Sequence, residues 1–189
     1  MELKTEEDII HMIIKDKWMM DILKTVKNLG LPDWWICAGF VRSKIWDVLH
    51  GFDERTPLPD VDVIYFDPEF ADEAIEKQWE RKLKSISPNV PWSVKNQARM
   101  HKVNSRDPYS SSIDGISKFP ETVTALGVKL DEKDRLVLAA PWGVRDVILL
   151  EVRPTPFFSR TSEGRKIFEN RVERKKWSCI WQRIKVYHD

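Results

Sequence analysis

Ala38-Gly39-Phe40-Val41-Arg42, followed beyond a proline-bearing loop by Pro59-Asp60-Val61-Asp62-Val63-Ile64-Tyr65-Phe66, is the stretch from which the fold can be worked outward. Asp60 and Asp62 stand two residues apart at the head of an apolar run that reads as a strand over 60–66. Side chains alternate along a strand, so both carboxylates project from one face while Val61 and Val63 project from the other, into a core. Two like charges held together raise each other's pKa unless a cation lies between them. Hard oxygen ligands on one strand edge suit Mg²⁺ or Mn²⁺, which take one or two carboxylates together with substrate phosphates. Upstream, Gly39 closes a short apolar run and opens a helix, and a helix start offers backbone N–H groups to those phosphates.

Working outward, residues 5–29 carry Ile9, Ile10, Ile13, Ile14, Trp18, Ile22, Leu23 and Val26 at helical spacing. Thr5 serves as N-cap, with Glu6, Glu7 and Asp8 in the first turn, and Gly30 and Pro32 stop the helix. A strand over 34–38, a helix over 41–49 ending before Gly51, a helix over 69–84 and a strand over 92–98 complete the first half. Helices alternating with strands predict an α/β or α+β fold, a mixed sheet flanked by helices. The second half reads as a helix over 113–119, strands over 123–130 and 135–139 joined by the polar turn 131–134, and a helix over 143–150. A charged helix over 162–176 and an apolar patch of Trp177, Ile180, Trp181 and Ile184 close the chain. The expectation is a single unit over 1–189 with its core at about 30–155, the N-terminal helix 5–29 and the C-terminal segment 160–189 packing on it.

Composition bounds the function classes. Apolar residues make up 42% and charged residues 32%, the balance of a folded, highly charged globule. Basic and acidic residues number 31 and 30, so the net charge of +1 lacks the global footprint of a nucleic-acid binder and leaves room only for a local basic patch. Cys37 and Cys179 lie far apart and outside metal-ligand spacing, and Cys37 reads as a small buried hydrophobe. The apolar run 9–20 is interrupted by His11, Lys15, Asp16 and Lys17, so it is an amphipathic helix rather than a membrane span. With no secretory leader legible, a cytoplasmic setting is expected. The nine Trp are read mainly as core material.

An apolar residue, a glycine, a helix and then Asp-x-Asp on an apolar strand resembles the polymerase β-like nucleotidyltransferase superfamily. Gly39-Phe40-Val41-Arg42 followed by Asp60-Val61-Asp62 is similar to the head-domain signature of tRNA nucleotidyltransferases and poly(A) polymerases. The match to a bacterial nucleotidyltransferase-like group extends through Trp34-Trp35-Ile36, Thr56-Pro57-Leu58, Lys95 to His101, Pro108-Tyr109, Pro120-Glu121-Thr122, Pro141-Trp142-Gly143 and Asp146. That resemblance implies transfer of a nucleoside monophosphate from an NTP to an acceptor (a small molecule, a protein hydroxyl or an RNA end). It implies Asp60 and Asp62 as holders of Mg²⁺ or Mn²⁺ and the Gly39-Phe40 turn as the phosphate cradle. The superfamily usually has Gly-Gly or Gly-Ser at that turn. It also usually has a third carboxylate on a later strand, whereas Trp92 to Ala98 contains none. Asp146 is then the alternative acid, and a nucleotide- and metal-binding module without turnover is the alternative function.

The remaining polar residues carry two readings each. Lys95, Asn96, Arg99 and His101 either contact triphosphate, base or acceptor, or form a solvated strand end whose side chains cap nearby backbone. Arg42, one turn into its helix, faces either phosphates or a structural acid. Asp67 is expected to cap the helix at Glu69, and Asp47, Asp53 and Glu54 to lie on the surface. The basic-acidic run 165–176 reads as a solvated helix face.

Overall fold

The alternating apolar run does form a strand, and it lies inside a sheet, paired on both sides. β1 (Trp35–Cys37), β2 (Val61–Tyr65), β3 (Trp92–Asn96), β4 (Gly127–Leu130) and β5 (Leu136–Ala139) form one five-stranded sheet in the order β3-β2-β1-β4-β5. β2 and β3 run parallel, as a helical crossover between them requires, and the other neighbours run antiparallel. The structure is a computed structural model that describes residues 3–188; Met1, Glu2 and Asp189, the ends of the expected 1–189 unit, lie outside the described residues. A mixed sheet flanked by helices is therefore the fold.

The two faces of the sheet differ. Ile36, Val61, Val63, Tyr65, Val94 and Val128 point to the face that carries the main core. There they meet α1 (Glu6–Ile14), α2 (Lys17–Lys27), α3 (Gly39–His50) and α4 (Glu73–Ile86). Trp35, Cys37 and Ile64 point the other way, to a small cluster with Ile116, Ala125 and Ala139. Asp62 alternates onto this second face, beside its register partners Cys37 and Ser93. A thin apolar cover leaves room there for cavities, walled by α5 (Gln97–Val103), α6 (Ser112–Ser117), α8 (Pro156–Ser159) and α9 (Ser162–Lys175). The short α7 (Arg145–Leu149) packs on α3, and the chain ends in a two-stranded ribbon of β6 (Glu151–Val152) and β7 (Lys185–Val186).

Several elements depart from the sequence reading, each for a local reason. The expected single helix over 5–29 is two helices, because Asp16 accepts from Met19 N–H as the N-cap of α2. Its carboxylate also draws Lys44 to 2.9 Å and Arg55 to 2.5 Å, which fixes the break against the body. The third strand stops at Asn96, whose side chain caps α5, so residues 97–98 are helical. Asp67 does bind the N–H groups of Glu69 and Phe70, yet α4 begins only at Glu73, capped by Asp72. Asp47 is buried rather than superficial: it accepts from Thr56 N–H (2.9 Å), Thr56 Oγ1 (2.6 Å) and Trp181 Nε1 (2.9 Å). That one carboxylate ties the loop ahead of β2 and the C-terminal segment to α3. Among the described residues no helix is long and apolar enough to cross a membrane.

Candidate functional site

β1 delivers the chain to Ala38, which adopts φ 53° and ψ −115° before α3 begins. A non-glycine residue there is strained, and such strain persists only where the surroundings over-determine it. Ala38 N–H donates to Leu126 carbonyl at 3.0 Å, and its own carbonyl accepts from Val41 and Arg42 N–H. The N–H groups of Gly39 and Phe40 fall in the first turn of α3, where no intrahelical acceptor exists, and no side chain caps this end. They are available to an anion.

Around that helix start lies a cavity of about 150 Å³ whose lining includes Gly39, Arg42, Asp60, Asp62, Arg171 and Lys175. β2 and the residue just ahead of it place the carboxylates; the cations come from two helices. Burial is the larger cause and the Asp60 charge the second that push the Asp62 carboxyl up to about 6, with Ser93, Lys175 and Arg171 acting against them. Arg42 is 7% exposed, its guanidinium lying 4.5 Å from the Trp177 ring centroid and 5.1 Å from that of Trp46. Burial lowers its pKa to about 10 while Glu121, Asp60 and Asp62 oppose the fall, so it is cationic at neutral pH. Arg42 Nη2 donates to Ser43 Oγ, but its buried Nε has no hydrogen-bond partner. A buried donor left unpaired is costly, so Arg42 is held in this position against a desolvation penalty.

Arg171 is held by the fully buried Glu121, with Nε at 2.7 Å from Oε1 and Nη2 at 3.2 Å from Oε2. Thr124 Oγ1 completes the arrangement by donating to Glu121 Oε2 at 2.7 Å. Arg171 and Lys175 lie one turn apart on α9, so both reach the carboxylate edge. The charged run was expected as a solvated face; two of its members line the site instead. Ile167, Arg171 and Lys175 at successive fourth positions are the sequence signal that could have marked them.

A second cavity, of about 490 Å³, adjoins the first through Ala38, Asp62, Thr124 and Arg171, and Lys95 and Gln97 line it. Other expected site residues are committed elsewhere. Phe40 turns its side chain into the core against Trp18, leaving only its backbone toward the site. Asn96 is buried and fully engaged, accepting from Asp67 and Ala98 N–H and donating to the carbonyls of Asp67 and Phe70. Arg99 clasps buried Glu76 through Nε (2.9 Å) and Nη2 (2.8 Å). His101 sits edge-on to Tyr109 and does not line either cavity beside Asp62. Asp146 on α7 accepts from Thr122 Oγ1 and faces Arg145 and Arg153, also outside both linings. The turn from β3 into α5 explains the first group: helix geometry swings Arg99 toward α4 instead of along the strand edge.

The comparisons with known proteins agree with this geometry. The family model described as Nucleotidyltransferase matches residues 24–186. No curated protein sequence matches the chain. An NMR structure reported to reveal a CCA-adding enzyme head domain is 34% identical, with a TM-score of 0.87, covering 98% of this chain and 97% of that one. A CCA-adding enzyme complexed with CTP shares the fold at 13% identity and a TM-score of 0.58, covering 97% of this chain and 43% of that one. The Thermotoga maritima CCA-adding enzyme complexed with tRNA is similar at 14% identity and a TM-score of 0.57, covering 97% of this chain and 42% of that one. This chain thus spans less than half the length of those two enzymes. With the family match over most of its length and the closely superposing head domain, the chain belongs to the nucleotidyltransferase family.

Proposed function

We propose that this protein transfers a nucleoside monophosphate from an NTP to an acceptor hydroxyl with the help of Mg²⁺ or Mn²⁺. One observation carries the reading: the smaller cavity joins two carboxylates, the free first turn of α3 and three cationic side chains around a single space. Arg42, Arg171 and Lys175 would hold the β- and γ-phosphates together with the Gly39 and Phe40 N–H groups. The Trp46–Trp177–Trp181 cage and Glu121 keep Arg42 and Arg171 in place before nucleotide arrives, so little ordering is left to the reaction.

The carboxylate pair fits a hard divalent cation. Asp62 is reluctant to ionise because of burial and of Asp60, and a cation between the two relieves both costs. No group of three His, Cys, Asp or Glu suited to a metal occurs among the described residues, so Asp60 and Asp62 would share the ion with phosphate oxygens. Bound there, the ion would supply charge stabilisation at the transferring phosphoryl group. Free Cys37 and Cys179 accord with a cytoplasmic setting, and a main core that draws on side chains from Leu3 to Trp181 accords with one structural unit.

The same two-carboxylate count favours a second reading, a nucleotide–metal binding module without turnover, since Ser93 rather than an acid stands opposite Asp62. Thermal-shift titration with each NTP, with Mg²⁺ or with chelator, separates the possibilities. Metal-dependent stabilisation is expected in the wild type and is lost in Asp60→Asn/Asp62→Asn. Stabilisation that survives the double substitution sinks the site assignment. Pyrophosphate release with a screened acceptor supports the transferase; binding with no release across the screen supports the module.

A further inference from the structure

The larger cavity beside Asp62 has a chemistry of its own. Its lining includes Lys95, Arg106, Lys118 and Arg171 as cations and Asp62 as the acid. Lys95 lies 3.7 Å from Glu76, Lys118 pairs with Asp114, and Arg171 is clasped by Glu121. Arg106 differs. Its guanidinium lies over Phe157 (4.8 Å) and Phe158 (5.7 Å) and has no carboxylate or carbonyl acceptor among the described residues. A guanidinium held over aromatic rings, with no acceptor of its own, keeps N–H donors for a planar or tetrahedral anion. Arg106 and Lys118 also line an adjoining hollow of about 380 Å³ that Asp62 does not reach, so they mark the end of the cavity away from the carboxylate pair.

Gln97 supplies the second observation. It is 4% exposed, lines this cavity, and its side-chain amide has no hydrogen-bond partner among the described residues. Its position is set by close packing on Gly115, where an added Cβ would fall 2.5 Å from Gln97 Oε1. An amide that lines a cavity without a protein partner is free to bond a polar ligand there.

Resting on the nucleotidyltransferase reading, we propose that this cavity is the acceptor subsite and takes a small anionic alcohol. The hydroxyl would lie at Asp62, polar groups of the body at Gln97, and a carboxylate or phosphate at Arg106 and Lys118. A volume of about 490 Å³, walled by α5, α6, α8 and α9, lies in the range of small-molecule sites. A neutral nucleobase would leave Arg106 without a counter-charge. In the reaction the acceptor oxygen bonds to the α-phosphorus, the bond from that phosphorus to the bridging oxygen breaks, pyrophosphate leaves and the hydroxyl proton passes to solvent.

The test is amide chemical-shift mapping on the full chain with Mg²⁺ and a non-hydrolysable ATP analogue present. The probes are glycerate and gluconate as carboxylates, glycerol phosphate and a hexose phosphate as phosphates, glycerol and glucose as neutral controls, and a single-stranded RNA pentanucleotide. One anionic arm is expected to move Gln97, Arg106 and Gly115, and the arm that does so tells carboxylate from phosphate. Its affinity should fall about 10- to 100-fold in Arg106→Ala, recover partly in Arg106→Lys and fall in Gln97→Leu, with the nucleotide response at Gly39 unchanged. The acceptor assignment is overturned if the analogue binds at Gly39 and Asp62 while the anionic probes leave those amides still. It is overturned equally if only the RNA moves them, or if the analogue alone does, which would make the cavity a nucleoside site. Absence of any analogue response at Gly39 and Asp62 defeats the nucleotidyltransferase reading itself; anionic probes binding in that case would mark an anion site and still refute the acceptor role.

Discussion

The two sides of the smaller cavity are built in opposite ways. The carboxylate side is local: Gly39, Asp60 and Asp62 belong to one β1–α3–β2 run, with Asp62 on β2, Asp60 one residue ahead of it, and both lining one cavity. The cationic side is assembled at long range. Arg171 and Lys175 come from α9 near the C-terminus, and they reach the site because Glu121 clasps Arg171 and because Trp177 and Trp181 pack on Trp46 of α3. The acidic half therefore follows from a local run of backbone, whereas the basic half depends on buried polar and aromatic contacts that can be broken separately.

The largest effect should come from Arg171→Ala. It leaves Glu121 without its guanidinium partner in a fully buried position, a loss of about 3 kcal/mol, and removes the proposed phosphate contact. Arg171→Ala combined with Glu121→Gln should regain much of the melting temperature and none of the NTP affinity; recovery of both would show that α9 serves only as scaffold.

Asp62→Asn sharpens the acidic side. A carboxyl whose folded pKa is raised from 3.8 to about 6 opposes folding once ionised, so its cost is absent below pH 3.8, grows between the two values and is complete above about 6. In metal-free protein Asp62→Asn should therefore stabilise at pH 8 by about 2 kcal/mol, roughly 4–8 °C in melting temperature, and leave stability near pH 3.5 unchanged. Equal stabilisation at both values would remove the electrostatic explanation. The same substitution should abolish the metal-dependent nucleotide shift, separating function from stability.

Lys175→Ala is expected to have the smallest effect. Lys175 is exposed and has no ion-pair partner among the described residues, so stability should stay within about 0.5 kcal/mol. NTP affinity should drop about 3- to 10-fold, more at low salt than at high. Arg174→Ala, one position away and outside the cavity lining, is the control that should change neither.

The legible part of the molecule is the part in which neighbours in sequence remain neighbours in space. The 60–66 strand, Gly39 at the helix start, the left-handed Gly51 after α3 and the hairpin turn at 131–134 all appear close to where pattern and turn chemistry put them. The strand reading of 92–98 failed at its last residues because Asn96 caps a helix, a choice that rests on its bonds to Asp67 and Phe70. Asp47 looked superficial because nothing nearby in sequence explains its burial; its partners are Thr56 and Trp181.

By itself the sequence determined the carboxylate pair, its shared side and the uncapped helix start at Gly39, since strand and helix periods are properties of the backbone. Tertiary structure alone decided which cations meet those acids, which polar residues are spent on the framework and where the second cavity opens. Those outcomes depend on burying charge beside its partner, and the free energy of doing so is set by groups that only the folded chain brings together.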